Sequence, residues 1–168
     1  MRTELFWISG PKLGRLAIMP RPRGGDWLEE EVRAWRLAGI DVIVSLLTPD
    51  EVAHFDLAQE RTFAETQGIQ FLSFPIVDRS VPASKEAVAD LVVELAKRLA
   101  EGENIAIHCR QGVGRAALIA ICLLIQTGLD PEAAIQQVSA ARGCPVPETL
   151  EQKRWVTDYA NTSIAVLK

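Results

Sequence analysis

The chain has 168 residues, 48% of them apolar, with a formal net charge of −4, which is enough for one domain over 1–168 with a sizeable core and argues against nucleic acid as a general partner. Three cysteines without regular spacing make neither a disulfide framework nor a zinc site, so a reducing, cytoplasmic setting is expected; separately, the chain is expected to be a monomer. The N-terminus carries Arg2 and Glu4 without a signal-like apolar core, and no apolar run is long enough to span a membrane.

Residues 5–8 and 16–19 read as two short strands joined by a turn around Gly10 and Pro11. Residues 20–25 form a loop, and its Arg21 and Arg23 read as solvated charges rather than ligands of an anion. Asp26 is expected to cap a helix over 27–38, stopped by Gly39, with Glu29, Glu30 and Glu31 favoured by the dipole in its first turns. The apolar run 41–47 suits a central strand covered on both faces. Thr48 and Glu51 form a capping box around Pro49, so Glu51 reads as a cap and not as a catalytic group. His54 has no neighbours at metal-ligand spacing and reads as a surface histidine. A helix over 56–67, stopped by Gly68, and a strand over 69–74 follow.

Beyond a loop over 74–82, Ser84 caps a helix through Leu99 with an apolar stripe at Ala87, Leu91, Leu95 and Leu99. A turn at 101–104 leads into an apolar strand ending at His108, a glycine-containing loop, and an apolar helix from about Arg115 to Gly128. Asp130 and Pro131 open a helix through Arg142. Thr149 starts the last helix, through about Ala160, leaving 161–168 as a tail. Strands alternating with helices, then a helical C-terminal part, imply an α/β fold: a mostly parallel central sheet flanked by helices.

The loop after His108 carries the chemistry. Cys109 is followed six positions later by Arg115, with Gly112 and Gly114 between them. Glycines let backbone N–H groups turn inward at a helix N-terminus, where the dipole adds positive charge, and together these make an anion site. The same field favours a thiolate at its rim. Arg115 has the fork geometry for two hydrogen bonds to an oxyanion. A thiolate beside a phosphate cradle points to in-line attack on phosphorus and a phosphocysteine. Neither Cys122 nor Cys144 has an arginine six residues on, so the pattern occurs once.

His-Cys-x5-Arg with these glycines resembles the signature of the protein tyrosine and dual-specificity phosphatases, and residues 38–160 look most like the kinase-associated phosphatase type. The resemblance implies a phosphatase-like fold, no cofactor, no metal and a phosphorylated protein or peptide as substrate. It makes Cys109 the nucleophile. Arg115 and the loop residues Arg110, Gln111, Gly112, Val113 and Gly114 become the phosphate cradle. It also places the 74–82 segment as the general-acid loop, with Asp78 as the acid rather than an aspartate stabilising a Pro-flanked turn; adjacency alone makes Arg79 its salt-bridge partner when the loop is open. His108 is implied to hydrogen-bond around the cysteine. Gln152 matches a glutamine that helps place the hydrolytic water, although Thr149 and Gln152 equally make a capping box.

Two departures stand out. Glu148 stands where many tyrosine phosphatases carry another glutamine, and Ala116 replaces the usual Ser or Thr after the arginine, implying slow hydrolysis of phosphocysteine. The phosphatases of regenerating liver share that alanine. No match to a pocket-deepening N-terminal loop is present, which implies a shallow pocket open to phosphotyrosine and phosphoserine/threonine. Arg110 reads equally as a solvent-facing charge or as selective for extra negative charge, as in a phosphoinositide or a doubly phosphorylated peptide. Cys122 reads as core, and Cys144 as a candidate disulfide partner for an oxidised Cys109. The alternatives are therefore a phosphoinositide or other non-protein phosphatase, and a weakly active phosphate-binding module. A sulfur-transfer enzyme of rhodanese type leaves Asp78 unexplained.

Overall fold

The computed structural model describes residues 4–10 and 13–166, with side chains as far as Ser163. Arg2, and Pro11 of the expected first turn, lie outside the described residues. One sheet is built from β1 (Phe6–Ile8), β2 (Leu16–Met19), β3 (Val42–Ser45), β4 (Gln70–Ser73) and β5 (Ile105–His108), in the order β1-β2-β5-β3-β4. β1 runs antiparallel to β2, and every other pairing is parallel.

The apolar runs of β2, β3 and β5 are buried on both faces because helices cover both. Successive side chains point to opposite faces, and the core divides accordingly. Leu16, Ile18, Val42, Val44, Ile105 and Ile107 belong to one cluster, and Ala17, Met19, Ile43 and Ala106 to the other. The first face is covered by α4 (Lys85–Ala100), α5 (Arg115–Gln126), α6 (Pro131–Arg142) and α7 (Leu150–Val166). The second is covered by α1 (Leu28–Leu37) and α3 (Glu60–Thr66). Between β3 and α3 lies the short helix α2 (Pro49–His54). Every residue of α5 from Arg115 to Leu124 is buried, as an all-round apolar helix must be.

Capping chemistry sets most of the boundaries. The Ser84 hydroxyl accepts from the Ala87 N–H at 3.1 Å, and the Asp130 carboxylate accepts from the Glu132 and Ala133 N–H groups. Four expectations need correction. Asp26 is not a cap: it sits inside a 3-10 turn, Gly25–Trp27, and the chain bent at Gly25 (φ +61) moves the N-cap of α1 to Trp27. The helix foreseen over 56–67 is interrupted by Asp56 at φ +54, so α3 begins only at Glu60. The buried stripe of α4 is Val88, Val92, Leu95 and Leu99. A strict four-residue spacing drifts by about 40° per step, which leaves Ala87 and Leu91 only half-buried. Finally, α7 continues to Val166, so helix occupies the start of the expected tail.

Candidate active site

β5, β3 and β4 end side by side, and the chain leaving each one enters the same corner, the carboxyl edge where parallel sheets bind ligands. From β5 comes the loop of Cys109. Cys109 is 3% exposed, and its Sγ accepts a hydrogen bond from the Gly112 N–H at 3.3 Å. Gly112 adopts φ +75, and a Cβ there would lie 2.8 Å from the Met19 carbonyl carbon, so only glycine lets the loop rest on the end of β2. Two further bonds fix the loop. The Arg21 N–H donates to the Arg110 carbonyl at 3.2 Å, and Arg142 Nη2 donates to the Gln111 carbonyl at 3.3 Å.

Arg115 opens α5 and is 1% exposed. Its Nη1 and Nη2 donate to the two carboxylate oxygens of Glu51, each at 2.8 Å. Nη1 also donates to the Ile76 carbonyl at 2.8 Å, and Nη2 to Asp78 Oδ1 at 3.0 Å. Burial alone disfavours this guanidinium's charge. The Glu51 hydrogen bonds and the negative groups at Cys109, Glu51 and Asp78 more than reverse that, so its pKa lies above the ordinary value. Glu51 is the converse: burial pushes its carboxyl up, but Arg115 and the Thr48 N–H hold it below the usual range. The capping box is present, with Thr48 N–H donating to Glu51 Oε2 at 2.9 Å. Reading Glu51 as a cap alone missed its second partner, which lies 64 residues away.

The loop after β4 brings Asp78 in. Besides its bond to Arg115, Asp78 Oδ2 lies 3.6 Å from Arg110 Nη1. The expected pairing with Arg79 does not occur in this arrangement: Arg79 turns at φ +60 and pairs with Glu148 at 2.8 Å. Gln152 is fully buried. Its Oε1 accepts from the Thr149 N–H at 3.1 Å, its own N–H donates to Thr149 Oγ1 at 3.1 Å, and its Nε2 donates to the Ser80 carbonyl at 3.0 Å. The capping box therefore exists, and the same side chain ties the Asp78 loop to α7. Gln152 also lies against the nucleophile loop, for a Cβ on Gly114 would sit 3.0 Å from its Nε2.

Cys109, Arg115 and Asp78 share a pocket of about 220 Å³ with Arg79, Arg110, Gln111, Val113, Gly114 and Glu148. Gly112 is not among the residues that line it. His108 faces away. It has the parity of Ala106 in β5, so its ring enters the layer under α1 and α3, where Nε2 lies 2.6 Å from Glu60 Oε1. Its Nδ1 is 3.4 Å from the Cys109 carbonyl oxygen. Glu60 was not foreseen as its partner, although strand parity pointed that ring at α3. His54 is exposed and stands edge-on to Phe55. Arg23 is not a free loop charge, since it pairs with buried Glu31 at 2.6 Å. Cys122 is buried in α5, which pushes its thiol pKa up, and Cys109, Cys122 and Cys144 are all free thiols. Among the described residues no group of three or more His, Cys, Asp or Glu side chains is gathered to hold a metal ion. No described helix is long and apolar enough to cross a membrane.

Comparison with known proteins bears on the family and the fold. The model of a family described as the "Swiss Army Knife protein, DSP-PTPase phosphatase domain" matches residues 7–165. Rat cyclin-dependent kinase inhibitor 3 is 24% identical over 142 residues, covering 83% of this chain and 66% of the relative. The putative tyrosine phosphatase 197R of Invertebrate iridescent virus 6 is 26% identical over 155 residues, covering 90% of this chain but 54% of the viral protein. The chain thus spans between about half and two thirds of these relatives' length. A crystal structure of kinase associated phosphatase, with its catalytic cysteine replaced by serine, superposes with a TM-score of 0.86 at 21% identity, covering 96% of both chains. Tk-PTP in its active form gives 0.72 at 27% identity, covering 88% of this chain and 92% of its own.

Proposed function

The chain belongs to the DSP-PTPase phosphatase domain family, and from that premise we propose that it hydrolyses phosphomonoesters of proteins through a phosphocysteine on Cys109, with Asp78 as general acid. The observation that carries the reading is the convergence of Cys109, Arg115 and Asp78 on one polar pocket.

The donors of Arg115 suggest how the phosphate enters. Glu51 and the Ile76 carbonyl hold one side of the guanidinium. The Nε–H and the Nη2–H that Asp78 accepts are left for a ligand. Asp78 therefore occupies the place of a phosphate oxygen. A dianionic phosphate displaces that carboxylate by competition for the same donor and by charge repulsion. Released from Arg115, Asp78 takes up a proton from solvent and is free to swing to the leaving oxygen. Sγ of Cys109 then attacks phosphorus in line: the S–P bond forms, the P–O bond breaks, and the Asp78 proton goes to the departing alkoxide or phenoxide. In the second step water attacks phosphorus, Asp78 takes its proton, and the electron pair of the S–P bond returns to sulfur. The Gly112 N–H already points at that sulfur and receives the charge.

The test is p-nitrophenyl phosphate hydrolysis by wild type, Cys109→Ser and Asp78→Ala under reducing conditions without added metal. Loss of activity in Cys109→Ser with a large drop in Asp78→Ala is the expected result. A wild type that binds phosphate without turnover would replace this reading with that of a phosphate-binding module. Ala116, buried at the start of α5, is what favours that second reading, because it brings no hydroxyl to the leaving sulfur. Ala116→Ser is expected to speed phosphocysteine decay about tenfold, a fraction of what an oxyanion-hole donor supplies. Unchanged decay in rapid-quench experiments would refute it.

A further inference from the structure

Beside the nucleophile, two cations share one aromatic ring. The Arg21 guanidinium lies over Phe55, 3.9 Å from the ring centroid, and the Arg110 guanidinium lies over the same ring at 5.4 Å. Stacking on a π-face holds each fork in place, so Phe55 acts as a shared platform. Arg21 has no carboxylate partner among the described residues, and its side chain donates only to the Pro22 carbonyl, at 3.0 Å. Arg110 has only Asp78, at 3.6 Å, and its side chain is 52% exposed. That partner is the group which the incoming phosphate displaces.

Gathering like charges is unfavourable. Burial, and then the nearby Arg110, both hold the Arg21 pKa below its ordinary value. Arg23, two residues on, is neutralised by Glu31, so pairing was available in this loop and is absent at Arg21. The pair is also joined to the site covalently and by backbone: Arg110 follows Cys109 in the chain, about 3.8 Å from it between Cα atoms, and the Arg21 N–H donates to its carbonyl.

We infer that Arg21, Phe55 and Arg110 form an accessory anion subsite, which takes a second phosphate or carboxylate carried on the residue adjacent to the phosphorylated one in a peptide substrate. The inference rests on the proposed phosphopeptide reading for its substrate, but not on turnover. An overall charge of −4, and the exposed Glu29 and Glu30 on the next helix, disfavour an anionic bilayer as the source of that second charge.

The experiment measures binding to the full chain carrying Cys109→Ser. It uses two phosphotyrosine peptides that differ only at the neighbouring residue, phosphoserine in one and alanine in the other. The doubly phosphorylated peptide is expected to bind about tenfold tighter, the effect of one or two charge-assisted hydrogen bonds, with the preference shrinking as salt rises. Adding Arg21→Gln should abolish the preference, and Arg21→Lys should keep part of it. Equal affinity for the two peptides overturns the inference without any substitution at Arg21. So does a preference that survives Arg21→Gln, or an inositol bisphosphate that binds tighter than either peptide. Turnover of p-nitrophenyl phosphate by the wild type is read separately. Its absence alongside an intact peptide preference would sink the catalytic reading and leave the subsite standing.

Discussion

Two segments reach the same guanidinium and hold it differently. The start of α2 presents Glu51 to Arg115 through two bonds of 2.8 Å, with Glu51 itself fixed by Thr48. The loop after β4 presents Asp78 through one bond of 3.0 Å, from a side chain that is 39% exposed. The first is a permanent counter-ion on a helix, and the second a replaceable one on a loop. On the proposed reading, Arg115 needs both: one carboxylate to keep it folded and oriented, and another that yields its place to the phosphate.

Removing each carboxylate in turn should separate these roles. Glu51→Ala leaves a buried charge short of its partner and is expected to cost about 3 kcal/mol of folding stability, read by urea denaturation. Asp78→Ala should cost less than about 1 kcal/mol in the same assay, as a part-exposed pair does. Similar losses for the two would erase the distinction. In turnover the order reverses in character. Asp78→Asn is expected to lower kcat about a hundredfold while leaving phosphate affinity intact or tighter, because it removes a proton donor and a competing charge. Weaker phosphate binding in Asp78→Asn would argue against Asp78 standing in for phosphate. A smaller effect belongs to the tie between loop and helix. Gln152→Ala should cost about 1 kcal/mol through its lost cap and its lost bond to Ser80. It should also lower kcat without the collapse seen in Asp78→Asn.

Acid provides the finest comparison. The Glu51 carboxyl titrates below its ordinary value of 4.5 because Arg115 outweighs its burial. Its pairing therefore stabilises the fold above that value, and the contribution is lost as pH falls through the lower, folded-state value. Stability curves of wild type and Glu51→Gln should converge on acidification below about pH 4.5. Parallel curves would mean that the pair does not titrate with folding.

Much of this corner was legible before any coordinates. Cys109 and Arg115 are six residues apart on one loop, and Thr48 and Glu51 three apart on one turn, so local geometry decided their relation. The sheet was legible because its apolar runs match strands covered on both faces. Glu51 with Arg115, Glu60 with His108 and Arg79 with Glu148 were not, since each joins segments that meet only when the strands are laid in order. Glu51 was hidden in a further way. A capping box accounts fully for a glutamate at that position, so nothing local hinted at a second task. Asp78 pairs here with Arg115, not with Arg79, its neighbour in sequence, which was expected as its partner when the loop is open. A left-handed turn at Arg79 separates the two side chains, and sequence adjacency carries no information about that.

The way Gly112 rests on the end of β2 bears on when this loop becomes ordered. The loop is moulded by the strand beside it, by the Arg21 N–H and by Arg142, none of which depends on a bound phosphate. Its ordering is thus completed when the chain folds. A phosphate bound there, as the proposed function requires, would impose no further restriction on the backbone that receives it, and its affinity would be spared the entropy of loop closure.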